Sequence, residues 1–159
     1  MSACAQCIIL IHLGFGYYPS SIRIMTSGAT EATVCILEED HRSQEATELL
    51  ARSAGLKTRT YATAEEFLRG LDDTLEAASC LVLGLQLSDM NGLSLLQTLV
   101  DDEIAIPVIM VAAEGDVPSC VSAMKLGAVD FLEKPLAQQK MVDRIFEALE
   151  RWKQTRSSV

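Results

Sequence analysis

The sequence predicts a doubly wound α/β domain built on a parallel sheet of five strands, and three observations lead there. From residue 33 onward, short apolar runs alternate with longer amphipathic ones, which is the pattern of successive βα units. The runs TVCIL, CLVL and PVIMVAA are apolar throughout, as expected of strands covered on both faces. The chain has 159 residues, 49% hydrophobic and 22% charged. That is enough for one domain with a proper core and too little for two comfortable ones.

Each element follows in order. TVCIL, 33–37, is the first strand, and a helix over roughly 42–54 comes next and stops at Gly55. KTRTYA, from Lys57, is a second, more exposed strand. Thr63 then caps a helix in which Phe67, Leu68 and Leu71 recur at helical spacing. CLVL, 80–83, is the third strand and GLSLLQTLV, 92–100, the helix after it. PVIMVAA, 107–113, is the fourth strand. The helix at 116–127 has Asp116 as its N-cap, Pro118 in its first turn and Gly127 at its stop. AVDFL, 128–132, is the fifth strand, and a last helix over about 137–152 puts Val142, Ile145, Leu149 and Trp152 on one face. Right-handed crossovers join parallel strands, and for five of them the flavodoxin-like order 2-1-3-4-5 is the common solution.

Composition narrows the function. Aromatic residues are only 5% of the chain, so the core is aliphatic. The formal net charge of −9 and a pI near 4.6 repel nucleic acid and anionic lipid. Five cysteines, Cys4, Cys7, Cys35, Cys80 and Cys120, form no disulfide framework. The last three read as reduced packing residues, and Cys4 and Cys7 as a lone pair without the second pair a zinc site wants. Residues 1–30 hold one charged side chain, Arg23, and are expected to be a poorly ordered appendage, with Met25 as an alternative start. Their apolar run falls short of the ~20 residues a membrane span needs. The expected organisation is an appendage over 1–30, a domain over 31–153 and a tail over 154–159, in a cytoplasmic protein.

In such a sheet, chemistry gathers where the strands end. Those ends read Glu38, Glu39 and Asp40 after strand one, Gly84 after strand three, Ala112 and Ala113 after strand four, and Lys134 after strand five. LEED, CLVLGLQLSDMNGLSLL and PVIMVAAEGDVPSCVSAMKLGAVDFLEKP, with their spacing, resemble the receiver domain of two-component response regulators, particularly receivers that precede a LuxR-type DNA-binding domain. The resemblance covers about residues 33–150. It implies an acidic pair that holds magnesium at Glu38 and Glu39, a phosphoacceptor at position 84, a hydroxyl at position 112, an aromatic switch at Phe131 and a phosphate-pairing lysine at Lys134.

Two of those positions depart from the pattern. Glycine has no atom that can attack phosphorus, so Gly84 implies a pseudo-receiver that takes no phosphate there, and Ala112 lacks the hydroxyl that would read a phosphoryl group. No cofactor is expected, and magnesium only weakly, since Mg²⁺ wants near-octahedral oxygen ligands and a carboxylate is gone. Lys134 is expected to swing toward Glu39 instead. Asp89 reads as a solvated turn residue and Ser88 as exposed. The acidic trio has a second reading as a solvated loop that caps the first helix. Gly84 has two readings, as a structural strand-end glycine or as space for a small ligand.

The expected mode of action is protein–protein contact, with a partner protein or as a homodimer. Its surface is helix four, strand five and helix five, displaying Lys125, Glu133, Lys140, Asp143, Arg144, Glu147 and Arg151 in mixed signs. Two alternatives remain: a small-ligand-binding pseudo-receiver, or a degenerate copy of a phosphorylatable regulator. A flavin-binding enzyme on the same fold is disfavoured, because EEDHRS puts three consecutive acids where phosphate would sit.

Overall fold

A computed structural model describes residues 32–71 and 78–157, all within one compact unit, Ala32–Val159. What the sequence suggests for residues 1–30, including Cys4, Cys7, His12 and the start at Met25, lies outside the described residues.

Five parallel strands lie in the order β2-β1-β3-β4-β5: β1 Thr33–Leu37, β2 Lys57–Tyr61, β3 Ala78–Gly84, β4 Val108–Ala112 and β5 Asp130–Glu133. The helices are α1 His41–Ser53, α2 Ala64–Arg69, α3 Gly92–Asp101, α4 Val117–Lys125 and α5 Gln138–Ser157. The predicted flavodoxin-like order holds. Bounds shift by a few residues, most of all in α5, which continues through Ser157 where the sequence predicts a tail from 154.

Alternation along the strands builds two apolar layers. Cys35, Leu37, Leu81, Leu83, Val108, Met110 and Ala112 join Phe67, Leu95, Leu96, Leu99 and Ala123 in one cluster beneath α2, α3 and α4. Val34, Ile36, Val82, Ile109 and Val111 are buried as well, and alternation gives them the face where α1 and α5 meet. Of the face predicted for α5, Ile145 and Leu149 are buried together with Met141 and Ala148, while Val142 and Trp152 are half-buried. Burial pushes the Cys35 thiol up to about 12 and the Cys80 thiol higher still, so both behave as inert packing groups.

The predicted caps form. Thr63 accepts from the Glu66 amide and Asp116 from the Ser119 amide, which satisfies donors a helix start leaves open. Gly55 and Gly127, at φ 83° and 96°, end α1 and α4 in the left-handed region. Gly92 answers a different need. A Cβ there would lie 2.2 Å from the Gly84 carbonyl oxygen, and its amide donates to Leu85 O at 2.7 Å. The loop after β3 therefore folds back directly onto the strand end.

Candidate functional site

The site lies at the carboxyl ends of β1, β3, β4 and β5, and the strand register assembles it. Leu37 pairs with Leu83 and Gly84 with Val111, so Glu38 follows β1 opposite Gly84. The Lys134 amide donates to Ala112 O at 2.8 Å, which prolongs the β4–β5 pairing by one residue and sets Lys134 over the crevice. A cis peptide joins Lys134 to Pro135. Buried Gln44 of α1 donates from Nε2 to Tyr61 O at 2.9 Å and to Glu38 O at 3.3 Å, tying the ends of β1 and β2 together.

The three acids after β1 separate into three roles. Asp40 is the N-cap of α1: it accepts from the Arg42 amide at 3.3 Å and from the Ser43 hydroxyl at 2.7 Å. The Ser43 hydroxyl, more than the Arg42 amide, holds the Asp40 carboxyl below the usual range. Glu39 is exposed. Glu38 is buried, and its Oε2 lies 3.1 Å from Lys134 Nζ, with side chains 9% and 19% exposed respectively. Its Oε1 accepts from the Asp40 amide at 3.3 Å. The expectation that Lys134 turns to Glu39 is therefore corrected. Successive residues leaving a strand point to opposite sides, and Glu38 is the one aimed at the crevice. The helix-capping reading of the trio holds for Asp40, while Glu38 faces Lys134 and Gly84.

Gly84 is buried. A Cβ built on it would lie 3.3 Å from Glu38 Oε1, 3.4 Å from Cδ and 3.4 Å from Oε2. The Glu38 carboxylate is thus the group nearest the open face of this glycine. Ala112 is 4% exposed and offers no hydroxyl. Phe131 is half-buried, with its ring over Gly115, where an added Cβ would lie 2.7 Å from Cε1.

Asp89 is more than a solvated turn residue. Its carboxylate accepts from the Ala64 and Glu65 amides at 3.1 and 3.0 Å, bonding the loop after β3 to the first turn of α2. Those two amides, Ala64 foremost, lower its pKa. Ser88 is exposed, as expected.

On the face formed by α4, β5 and α5, Lys125, Glu133, Lys140, Asp143 and Arg151 are exposed, whereas Arg144 and Glu147 are half-buried. Three of these charges, Arg144, Glu147 and Arg151, are paired within the chain. Arg144 meets Asp130 at 2.7 Å and Glu147 at 2.9 Å, and Arg151 meets Glu147 at 3.2 Å. Asp130 is absent from the residues the sequence singles out for this face. The Asp130 bond, first among the causes, raises the Arg144 pKa. Val117, Val121 and Met124 on α4 stand 76%, 44% and 45% exposed. A stripe at i, i+4 and i+7 was there to be read in the sequence.

Among the described residues, no group of three or more His, Cys, Asp or Glu could hold a metal ion, and no helix is long and apolar enough to cross a membrane.

Residues 34–146 match the family described as response regulator receiver domain. Nodulation protein W of Bradyrhizobium diazoefficiens is 36% identical over 133 residues, covering 84% of this chain and 58% of that protein. Response regulator protein TodT of Pseudomonas putida is 33% identical over 143 residues, covering 90% of this chain and 62% of that protein. The chain therefore spans about three-fifths of the length of these relatives. The crystal structure of FixJ-N superposes with a TM-score of 0.69 at 34% identity, over 77% of this chain and 96% of that one.

Proposed function

The chain belongs to the response regulator receiver family, and we propose that within it this receiver acts through contact with a protein partner, without taking phosphate at the usual position. It is then a signalling module and no enzyme. One observation supports this above all: the position matching the phosphoacceptor is Gly84, and the carboxylate beside it, Glu38, is bound to Lys134 at 3.1 Å. Acyl-phosphate formation needs a free carboxylate in line with the donor phosphorus. Position 84 has none, and Ala112 has no hydroxyl to answer a phosphoryl group.

Magnesium does not fit these residues well either. The ion favours six oxygen ligands at ~2.0–2.1 Å. Glu39 is exposed, Glu38 is committed to a lysine, and residue 84 offers no side chain. No step is derived through the ion.

The docking surface we propose is α4, β5 and α5, with a second copy of this chain as the first partner to test. Because Arg144, Glu147 and Arg151 are paired internally, the attraction falls to Val117, Val121 and Met124, with Lys125, Glu133 and Lys140 at the rim. Apolar centre and charged rim is the usual anatomy of a contact surface. Neither nucleic acid nor a membrane is proposed as a partner of this acidic domain.

The test treats the native chain with radiolabelled acetyl phosphate and magnesium, and follows association by sedimentation with and without that treatment. No hydroxylamine-labile label is expected, and association is expected to be unchanged by the treatment and lost in Val121→Asp. An aspartyl or glutamyl phosphate formed quickly on the native chain would overturn the proposal.

A further inference from the structure

We propose that the groove at the amino ends of β4 and β5 is a docking site for a segment of a protein partner whose apolar side chains are flanked by lysine or arginine. The groove lies at the end of the sheet opposite Glu38 and Lys134, and it serves whether or not position 84 takes phosphate.

Its shape is apolar and open. With a volume of about 490 Å³, it runs between the last turn of α3, residues 103–107 leading into β4, the turn after α4 and Arg151 of α5. Leu96, Leu99, Ile106, Val108 and Val129 form a buried apolar floor. Val100 and Ala105 at the edge are exposed, Val100 by 44%. A small molecule there would stay half in water, whereas binding pockets for small molecules enclose most of the ligand. A protein segment brings its own backbone to cover that edge.

Charge selects the occupant. Asp101, Asp102 and Glu103 stand in a row on the α3 side, all exposed. Asp101 accepts from Gln97 at 2.8 Å, and among the described residues no cation pairs with Asp102 or Glu103. Arg151, on the far side, is bonded to Glu147 at 3.2 Å. The mouth is therefore acidic and complements a basic segment, while a second copy of this chain, at net charge −9, is repelled.

The backbone points to the same place independently. Three helices end on one motif, in which two successive amides turn back to the last carbonyls. Gly55 and Leu56 donate to Arg52 O and Ala51 O after α1, Gly127 and Ala128 to Met124 O and Ala123 O after α4, and Glu103 and Ile104 to Val100 O and Leu99 O after α3. The turning residue needs a positive φ, which is 83° at Gly55, 96° at Gly127 and 57° at Glu103. Glycine adopts that region freely and glutamate does not. Only after α3 is the strain kept, and it sets a carboxylate at the mouth of the groove.

The test follows amide NMR shifts of the isotope-labelled full chain as it is titrated with the amidated peptide Lys-Leu-Leu-Lys-Leu-Leu-Lys and, separately, with Glu-Leu-Leu-Glu-Leu-Leu-Glu. The lysine peptide is expected to shift the amides of Val100, Glu103, Ile104, Leu126 and Gly127, and the glutamate peptide to leave them in place. Val100→Arg is expected to weaken binding by about tenfold or more, as loss of a central apolar contact does. Leu49→Arg adds the same charge on α1, at a side chain 70% exposed, and should change binding by less than about twofold. Glu103→Gly is expected to raise the melting temperature and weaken binding together, a split that a merely structural turn residue would not show. No saturable binding of the lysine peptide, equal binding of both peptides, or shifts centred on another face would overturn the proposal. So would equal losses in Val100→Arg and Leu49→Arg, or a Glu103→Gly chain that is no more stable or binds as tightly as the native one. Phosphate taken up by the native chain would overturn the proposed function and leave this titration unchanged, so the two failures are told apart.

Discussion

Replacing Lys134 by methionine tests what holds the strand ends together. The change keeps the stem's length and removes the ammonium, leaving Glu38, with a side chain only 9% exposed, facing an apolar group. Breaking a fully buried pair from one side costs about 3–5 kcal/mol. Lys134 is 19% exposed and the Asp40 amide still donates to Glu38, so the expected cost is lower, about 2–3 kcal/mol. In urea, with a slope of roughly 1–3 kcal/mol/M, the midpoint falls by about 0.7–3 M. Changing Glu38 to glutamine as well removes the stranded charge. The double variant should then regain about 2 kcal/mol of what the single changes lose separately, because residues in contact do not add. Equal slopes across the four proteins would show that only stability has changed. An unmoved midpoint for Lys134→Met, or strictly additive losses, would refute the reasoning and leave the pair as a surface ornament.

Two further outcomes are expected. Gly92→Ala forces a Cβ to within 2.2 Å of the Gly84 carbonyl oxygen, and because a backbone atom must yield, the loss belongs at the upper end of the ~1–3 kcal/mol of overpacking. The same urea curves measure it, and a native-like midpoint would contradict the close approach. Asp89→Asn acts through pH. The folded carboxyl titrates below its usual range because the Ala64 and Glu65 amides donate to it, so the unfolded chain binds the proton more readily. That contribution is complete above the unfolded value of about 3.9 and is lost as pH falls through the lowered folded value. Asp40 is shifted in the same direction, so the measurement is the difference between native and Asp89→Asn stability curves. That difference should shrink as pH falls below about 4, and one that stays constant with pH would show that the carboxylate charge plays no part.

Local signals made most of the fold legible in the sequence. Thr63, Asp116, Gly55 and Gly127 announce helix ends through their own backbone demands, and the apolar runs at 33–37 and 107–113 announce strands buried on both faces. What the sequence hid depends on partners far along the chain. Asp89 looks like any loop acid until Ala64 and Glu65, 25 and 24 residues away, present their amides. Asp130 looks like a strand-end acid until α5 brings Arg144 beside it, 14 residues on. Glu38 and Glu39 are chemically equivalent in the sequence, and only the direction in which β1 ends decides between them.

Gly84 shows why a missing side chain cannot be understood by itself. Read along the chain, the position that the family resemblance matches to a phosphoacceptor bears no side chain. Across the sheet, the Glu38 carboxylate after β1 lies 3.3–3.4 Å from the place of a Gly84 Cβ and 3.1 Å from the ammonium of Lys134, the residue after β5. The electrostatic demand of a buried ammonium belongs to the crevice as a whole, and any neighbouring strand with sufficient reach can meet it.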